Sequence, residues 1–242
     1  MNPAVTSISA FFPCYNDEAT IATMVRTALA TIDDAGVDGE CIVIDDGSSD
    51  GSAAVLAALA AEEPRLRVVT HEVNRGYGGA LLSGFAAATR EWVFYTDGDA
   101  QYDPAELAAF VVAAGPDVDV VQGFKMGRSD NLARKVVGRV YHRFVKLAFG
   151  LRIRDTDCDF RLIRRSVLER VHLEHTSGVI CVELVRKLQD AGARFVEVGV
   201  HHYPRLHGRS EFFKVAAVLR TLRDLAGLWF SLVVLRRGRP AR

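Results

Sequence analysis

The feature that most limits how this chain can fold is the alternation, through residue 123, of short apolar runs with longer stretches of helical character. Residues 7–12, 41–45, 67–70, 92–96 and 118–122 have strand length and are rich in Val, Ile and aromatic side chains; helices fill the gaps. This βαβα order predicts an α/β fold: a mainly parallel sheet with helices on both faces. Ligands in such folds bind beyond the carboxyl ends of the strands, so the chemistry is expected just after each run. Polar clusters stand there in turn: PCYNDE at 13–18, DDGSSDGS at 45–52 and DGDAQYD at 97–103.

Asp97-Gly98-Asp99 is the sharpest of these clusters. Carboxylates at i and i+2 around a glycine can both turn toward one hard cation, Mg²⁺ or Mn²⁺, which keeps several waters and completes its shell with substrate phosphates. Gln101 could add an oxygen. Asp-Gly-Asp is also ordinary turn chemistry. What favours the metal reading is the company of other acidic strand ends, whose carboxylates repel one another unless a cation neutralises them. In the second cluster Asp45 and Asp46 suit hydrogen-bond donors of a base or ribose, Asp46 above all, while Ser49 and Asp50 read as helix caps. In Asn74–Ala80 the glycines, Gly76 and Gly79 among them, permit close backbone approach at a helix start, where amides attract anions. The spacing is neither G-x-G-x-x-G nor a P-loop, and no G-x-S-x-G, H-E-x-x-H or C-x-x-C occurs.

Charge divides along the chain. Residues 1–124 hold 5 Lys+Arg against 19 Asp+Glu, and residues 125–242 hold 25 against 11, a balance of −14 followed by +14. An acidic half suits cation binding and a basic half an anionic partner, while the net charge of +0 gives no reason to expect nucleic acid. With 242 residues and 49% hydrophobic content, one domain with a full core is expected. After residue 125 come a basic amphipathic stretch (131–149), a strand-like segment (159–163), a helix (179–191), a strand (195–200) and a basic helix (211–235). The predicted division is a main domain over 1–210, with an acidic half to about 124 and a basic half from about 125, then an amphipathic helix and basic tail over 211–242.

The apolar run 225–235 is about half the ~20 residues that cross a bilayer. With Trp229 and Phe230 inside it and Arg236, Arg237, Arg239 and Arg242 after it, it is expected either to lie on an anionic membrane surface or to dock on the core or a second subunit. Cys14, Cys41, Cys158 and Cys181 form no metal or disulfide pattern, and the N-terminus lacks a secretory signal. A cytoplasmic location, peripheral at the membrane, is the expectation.

FPCYNDE, VIDDGSSDGS, NRGYGGAL and YTDGDAQYDP, in this order and spacing, resemble the glycosyltransferase family 2 enzymes of the GT-A fold. LAFGLRIRDTDCDFRLIRR, ICVELVRKLQDAGARFVEVGV and YPRLHGRSEF are further similar to the polyprenyl-phosphate sugar synthases within it. The resemblance implies that Pro13, Tyr15, Asn16, Glu18 and Asp46 surround the nucleotide of a GDP- or UDP-sugar, and that Asp97, Asp99 and Gln101 ligate the cation. It also implies that Lys125, Arg134, Arg205 and Arg209 meet an acceptor phosphate. Where the synthases have T-S-G-F-R, this chain has Asp157-Cys158-Asp159-Phe160-Arg161, two additional carboxylates near the acceptor.

The expected reaction inverts the anomeric carbon as an acceptor oxygen displaces the nucleoside diphosphate. A polyprenyl phosphate is already ionised and needs only cations to position it. A hydroxyl acceptor needs a base, for which Asp157 or Asp159 is the candidate. A nucleotide-sugar-binding protein without turnover is the non-enzymatic alternative, less well suited to a chain that keeps both Asp97 and Asp99.

Overall fold

The structure, a computed structural model, describes residues 5–126, 143–205 and 215–235. Seven strands form one sheet: β1 (Ser7–Cys14), β2 (Asp38–Asp45), β3 (Leu66–Thr70), β4 (Trp92–Tyr95), β5 (Val120–Met126), β6 (Arg161–Arg164) and β7 (Phe195–His201). Their order is β3-β2-β1-β4-β6-β5-β7, with β6 antiparallel to both neighbours and every other pairing parallel. The mainly parallel α/β sheet expected from the alternation is therefore the fold.

Period-two patterning builds a core on each face. Ile8, Ala10, Phe12 and Cys14 of β1 pack with Met24, Val25 and Leu29 of α1 (Ile21–Asp34) and with Leu107 and Phe110 of α4 (Leu107–Ala113). Phe11, Ile42 and Ile44 point the other way, against α3 (Tyr77–Ala87) and α7 (Ile180–Asp190). Gly84 lets α3 come down onto the sheet, since a Cβ there would lie 2.3 Å from the Phe11 ring. The remaining helices of the first half and the crossover are α2 (Ser52–Glu62), the helix over 143–149, here α5, and α6 (Arg165–Leu168).

The segment expected as a strand over 159–163 is shifted. The ladder begins at Arg161, because the Asp159 carboxylate turns to Arg161 and Cys181, while Phe160 drops its ring between Phe94 and Phe110.

A third cluster joins α5, α7 and α8 (Val215–Trp229), the last ending in a π-helical turn, Phe230–Val234. Val145 and Phe149 meet Val182 and Val185, with Leu225, Leu228 and Leu232 closing the layer. Trp229 Nε1 donates to the Ala148 carbonyl at 3.0 Å. One side of the terminal helix is thus docked on the core. Phe144, Leu147, Leu222 and Trp229 remain exposed beside an apolar groove of about 680 Å³ between α5 and α8. Among the described residues no helix is long and apolar enough to cross a membrane. The four cysteines are buried and unbridged. The boundary expected at 210/211, and the first part of the basic stretch from 131, lie outside the described residues.

Candidate active site

β1, β2 and β4 end side by side, with Cys14 opposite Asp45 and Phe11 opposite Tyr95, so the three polar clusters share one edge of the sheet. The Gly98 N–H donates to Pro13 O at 3.2 Å, and a Cβ at Gly98 would stand 2.8 Å from that oxygen. Glycine between the two aspartates is therefore a requirement of close approach. Thr20 Oγ1 donates to Gly98 O at 2.7 Å and fixes the turn from the other side.

Asp97 Oδ1 is shut off from solvent without a hydrogen-bond partner among the described residues. Burial, then the charges of Asp159 and Asp99, push the Asp97 carboxyl well above its ordinary range. Asp99 is buried; its Oδ1 accepts from the Gln101 N–H at 3.0 Å and its Oδ2 from the Arg205 guanidinium. Gln101 Nε2 donates to Tyr203 O at 3.2 Å, and its Oε1 is the atom that could ligate a cation. Asp17 sits in the same field and is raised to about 6, chiefly by burial, with Asp99 adding to the effect. An orphaned carboxylate oxygen, a second carboxylate already drawing a positive charge and an amide oxygen form an all-oxygen donor set suited to Mg²⁺ or Mn²⁺. Among the described residues no three His, Cys, Asp or Glu side chains form a closed metal cage.

The residues expected around the nucleotide are brought to the same edge, and much of their hydrogen bonding is internal. Asn16, held at φ 59°, accepts from the Ser49 N–H at 2.8 Å, and Glu18 Oε2 accepts from the Gly51 N–H at 2.7 Å. The two loops are thereby laced together, with Tyr15 exposed beside them. Asp45 Oδ1 accepts from the Ser48 N–H at 3.0 Å. Asp50 Oδ1 accepts from the Ser52 N–H at 2.9 Å, while the N-cap position of α2 itself is taken by Gly51, so neither Ser49 nor Asp50 stands at the cap.

Asp46 is tied into the neighbouring turn by its own hydrogen bonds. Its Oδ1 meets His71 Nδ1 at 2.6 Å and the Arg75 N–H at 2.8 Å, and its Oδ2 accepts from the Gly76 N–H at 2.9 Å. His71 in turn reaches Ser83 Oγ at 2.8 Å. The carboxylate is thus spent on fixing the 74–76 turn. The Gly76 amide is likewise committed, and Gly79 lies against Arg75, where a Cβ would come 2.6 Å from the Arg75 Cβ. Gly78 is pressed to the 175–176 backbone, where a Cβ would meet His175 O at 2.5 Å.

That backing segment is held by Glu183 of α7, a residue the sequence reading did not single out. Its carboxylate accepts from the Glu174 and His175 amides, from His175 Nδ1 at 3.0 Å and from Lys187 Nζ at 2.6 Å. Burial opposes the charge, but the bonds to His175 and Lys187 prevail and hold the Glu183 carboxyl down at about 2. The same bond to Glu183 raises His175 above 6.5. A depressed carboxyl stabilises the fold above its ordinary value of 4.5 and loses that contribution as pH falls toward 2; a raised histidine contributes below 6.5 and is lost as pH climbs through its folded value. The network is therefore strongest between these limits. Glu183→Gln is expected to flatten the fall in Tm between pH 4.5 and 2 relative to wild type, measured by thermal melts across that range; parallel slopes would contradict the assignment.

Near the end of β5, Lys125 Nζ donates to Asp157 O at 2.7 Å and its N–H to Asp155 Oδ2 at 3.3 Å. Asp159 Oδ1 is ion-paired with the fully buried Arg161 at 2.7 Å and accepts from Cys181 Sγ at 3.1 Å. Arg161 Nε donates to Gln122 Oε1 at 2.6 Å, Nη2 to Thr156 O at 3.0 Å, and Nη1 also to Tyr95 Oη. Arg134 and Arg209 lie outside the described residues. Arg161 was visible in the sequence only as the last residue of D-C-D-F-R; the signal for its importance was an arginine inside an otherwise apolar strand.

The glycosyl transferase family 2 model matches residues 9–171, the stretch that carries all three strand-end clusters. The chain belongs to this family, and it is a glycosyltransferase. It is 32% identical over 243 residues to the undecaprenyl-phosphate 4-deoxy-4-formamido-L-arabinose transferase of Enterobacter sp. (strain 638), covering 99% of this chain and 70% of that one. In structure it is similar to glucosyl-3-phosphoglycerate synthase from Mycobacterium tuberculosis in complex with UDP, with a TM-score of 0.68 and 22% identity over 98% of this chain and 82% of that one. The same synthase with Mn²⁺, UDP-glucose and phosphoglyceric acid gives a TM-score of 0.67 at 20% identity, over 98% and 81% of the two chains.

Proposed function

We propose that this glycosyltransferase moves a sugar from a nucleoside-diphosphate donor to a polyprenyl phosphate, with a divalent cation held by Asp97, Asp99 and Gln101. The observation that carries the acceptor is the 32% identity, over 99% of the chain, to a transferase named for undecaprenyl phosphate. The exposed apolar groove between α5 and α8 supports a lipid acceptor and peripheral contact with a bilayer, and UDP in the structural neighbour favours a uridine donor. The cation supplies charge neutralisation for the leaving diphosphate.

This chain's own residues do the positioning. The laced loops of Asn16, Glu18, Asp45 and the 48–51 turn shape the nucleotide side, and Asp46 holds the Gly76 turn for close backbone approach. Lys125 and Arg205, joined by Arg134 and Arg209, offer positive charge to the acceptor phosphate, whose oxygen needs no base. For a hydroxyl acceptor Asp159 is poorly placed as a base, because its carboxylate is already paired with Arg161. The deciding assay mixes purified enzyme, Mn²⁺ or Mg²⁺, a panel of radiolabelled UDP- and GDP-sugars and a short polyprenyl phosphate. Organic-extractable label is expected with one donor; none with any donor overturns the lipid acceptor.

A further inference from the structure

Asp99 has both oxygens engaged, Oδ1 by the Gln101 N–H and Oδ2 by the Arg205 guanidinium. Its side chain is 5% exposed and that of Arg205 33%, so the pair sits at the mouth of the site with the carboxylate inside and the guanidinium toward solvent. Arg205 follows β7, and its segment is fastened to the Asp97–Gln101 turn. Tyr203 N–H donates to Gln101 O at 2.8 Å, and Gln101 Nε2 returns a bond to Tyr203 O at 3.2 Å. The backbone around residue 203 is thus anchored at the turn that carries Asp97 and Asp99, and the Arg205 side chain can exchange partners without a large chain movement.

We infer that Arg205 is the counterion of Asp99 in the cation-free protein and gives up that carboxylate when a divalent cation binds. The inference rests on the proposed reading of Asp99 as a cation ligand. A guanidinium and a divalent ion drawn to the same carboxylate oxygen compete for it, because two positive charges that close repel. The exchange therefore links two events: the cation enters on Asp99, and the freed guanidinium becomes available to a second phosphate. Linkage of this kind is reciprocal, so a bound acceptor phosphate that captures Arg205 also favours the cation.

The test measures Mn²⁺ binding to the full chain without nucleotide, by electron paramagnetic resonance of free Mn²⁺. Arg205→Ala removes the competing charge and is expected to bind Mn²⁺ about three- to tenfold tighter than wild type. Arg205→Lys keeps a competing charge and should stay near wild type. Arg205→Gln, run alongside, tightens binding as the Ala variant does and answers the question if that variant folds poorly. Asp99→Asn should abolish binding in either background. Mn²⁺ binding unchanged by Asp99→Asn overturns the cation reading and this inference together. Binding lost in Asp99→Asn but no tighter, or weaker, in both Arg205→Ala and Arg205→Gln overturns the exchange alone.

Discussion

Asp99→Asn is expected to lower kcat/KM by about 10³-fold, measured with the donor that gives product in the transfer assay, because a metal that neutralises a leaving group acts where charge develops in the transition state. The fold should barely notice. Asparagine can still accept the Gln101 N–H, and what is lost is a partly exposed ion pair with Arg205, worth about 0.2–1 kcal/mol. For a domain of this size that corresponds to a Tm change of less than about 4 °C. The contrast between a large kinetic effect and a small thermal one separates a cation ligand from a structural carboxylate. Activity within tenfold of wild type would remove Asp99 from the cation site.

The fold and the location of the site were legible in the sequence because they depend on patterns that repeat. The alternation of apolar runs placed β1 to β5 within a few residues, and β7 likewise, since strand length and period-two burial leave little freedom once the runs are found. The polar clusters then had to meet, because parallel strands end on one edge. What could not be read was how the polar atoms within that edge are spent. Asp46 looked like a free acceptor for a nucleotide, yet its bonds go to His71, Arg75 and Gly76, partners 25 to 30 residues away that no local pattern connects. Glu183 and Arg161 were hidden for the same reason: each lies in an apolar-looking helix or strand and finds its partners only after the chain has folded. The antiparallel strand β6 was shifted by two residues because Asp159 satisfies Arg161 and Cys181 instead of joining the ladder.

These internal bonds bear on how the site works. The edge proposed to receive the donor diphosphate already holds Asp17, Asp97, Asp99 and Asp159, and arginines stand beside two of these carboxylates. Arg205 faces Asp99 from the solvent side, Arg161 faces Asp159 from within the sheet, and Asp97 keeps an oxygen with no hydrogen-bond partner among the described residues. Burial first, and then the charges of Asp159 and Asp99, raise the Asp97 carboxyl well above its ordinary range. On this view the acidic half of the chain does not simply attract metal. Arg205 from the basic half pairs with Asp99 of the acidic half, and Arg161 neutralises Asp159 beside it.

The second large effect is expected at Arg161. Its guanidinium is fully buried, pairs with Asp159, bonds Gln122 and the Thr156 carbonyl, and lies 5.6 Å from the Tyr95 ring centre. Arg161→Met keeps much of the volume but strands the Asp159 charge and leaves the Gln122 oxygen without its donor. Breaking one side of a buried pair costs about 3–5 kcal/mol, so Tm should fall by about 10 °C. Most of that cost belongs to the abandoned charge rather than to the bond itself, and the double variant Arg161→Met/Asp159→Asn should therefore recover part of the lost stability. Transfer should decline in the single variant even well below its melting point, because an uncompensated Asp159 raises the negative potential at Asp97, where the leaving diphosphate is to be received. Thermal melts of the single and double variants, read beside kcat/KM at low temperature, check both statements. A single variant as stable as wild type, or a double variant no better than the single, would mean that Arg161 is not the charge that makes Asp159 tolerable beside the site.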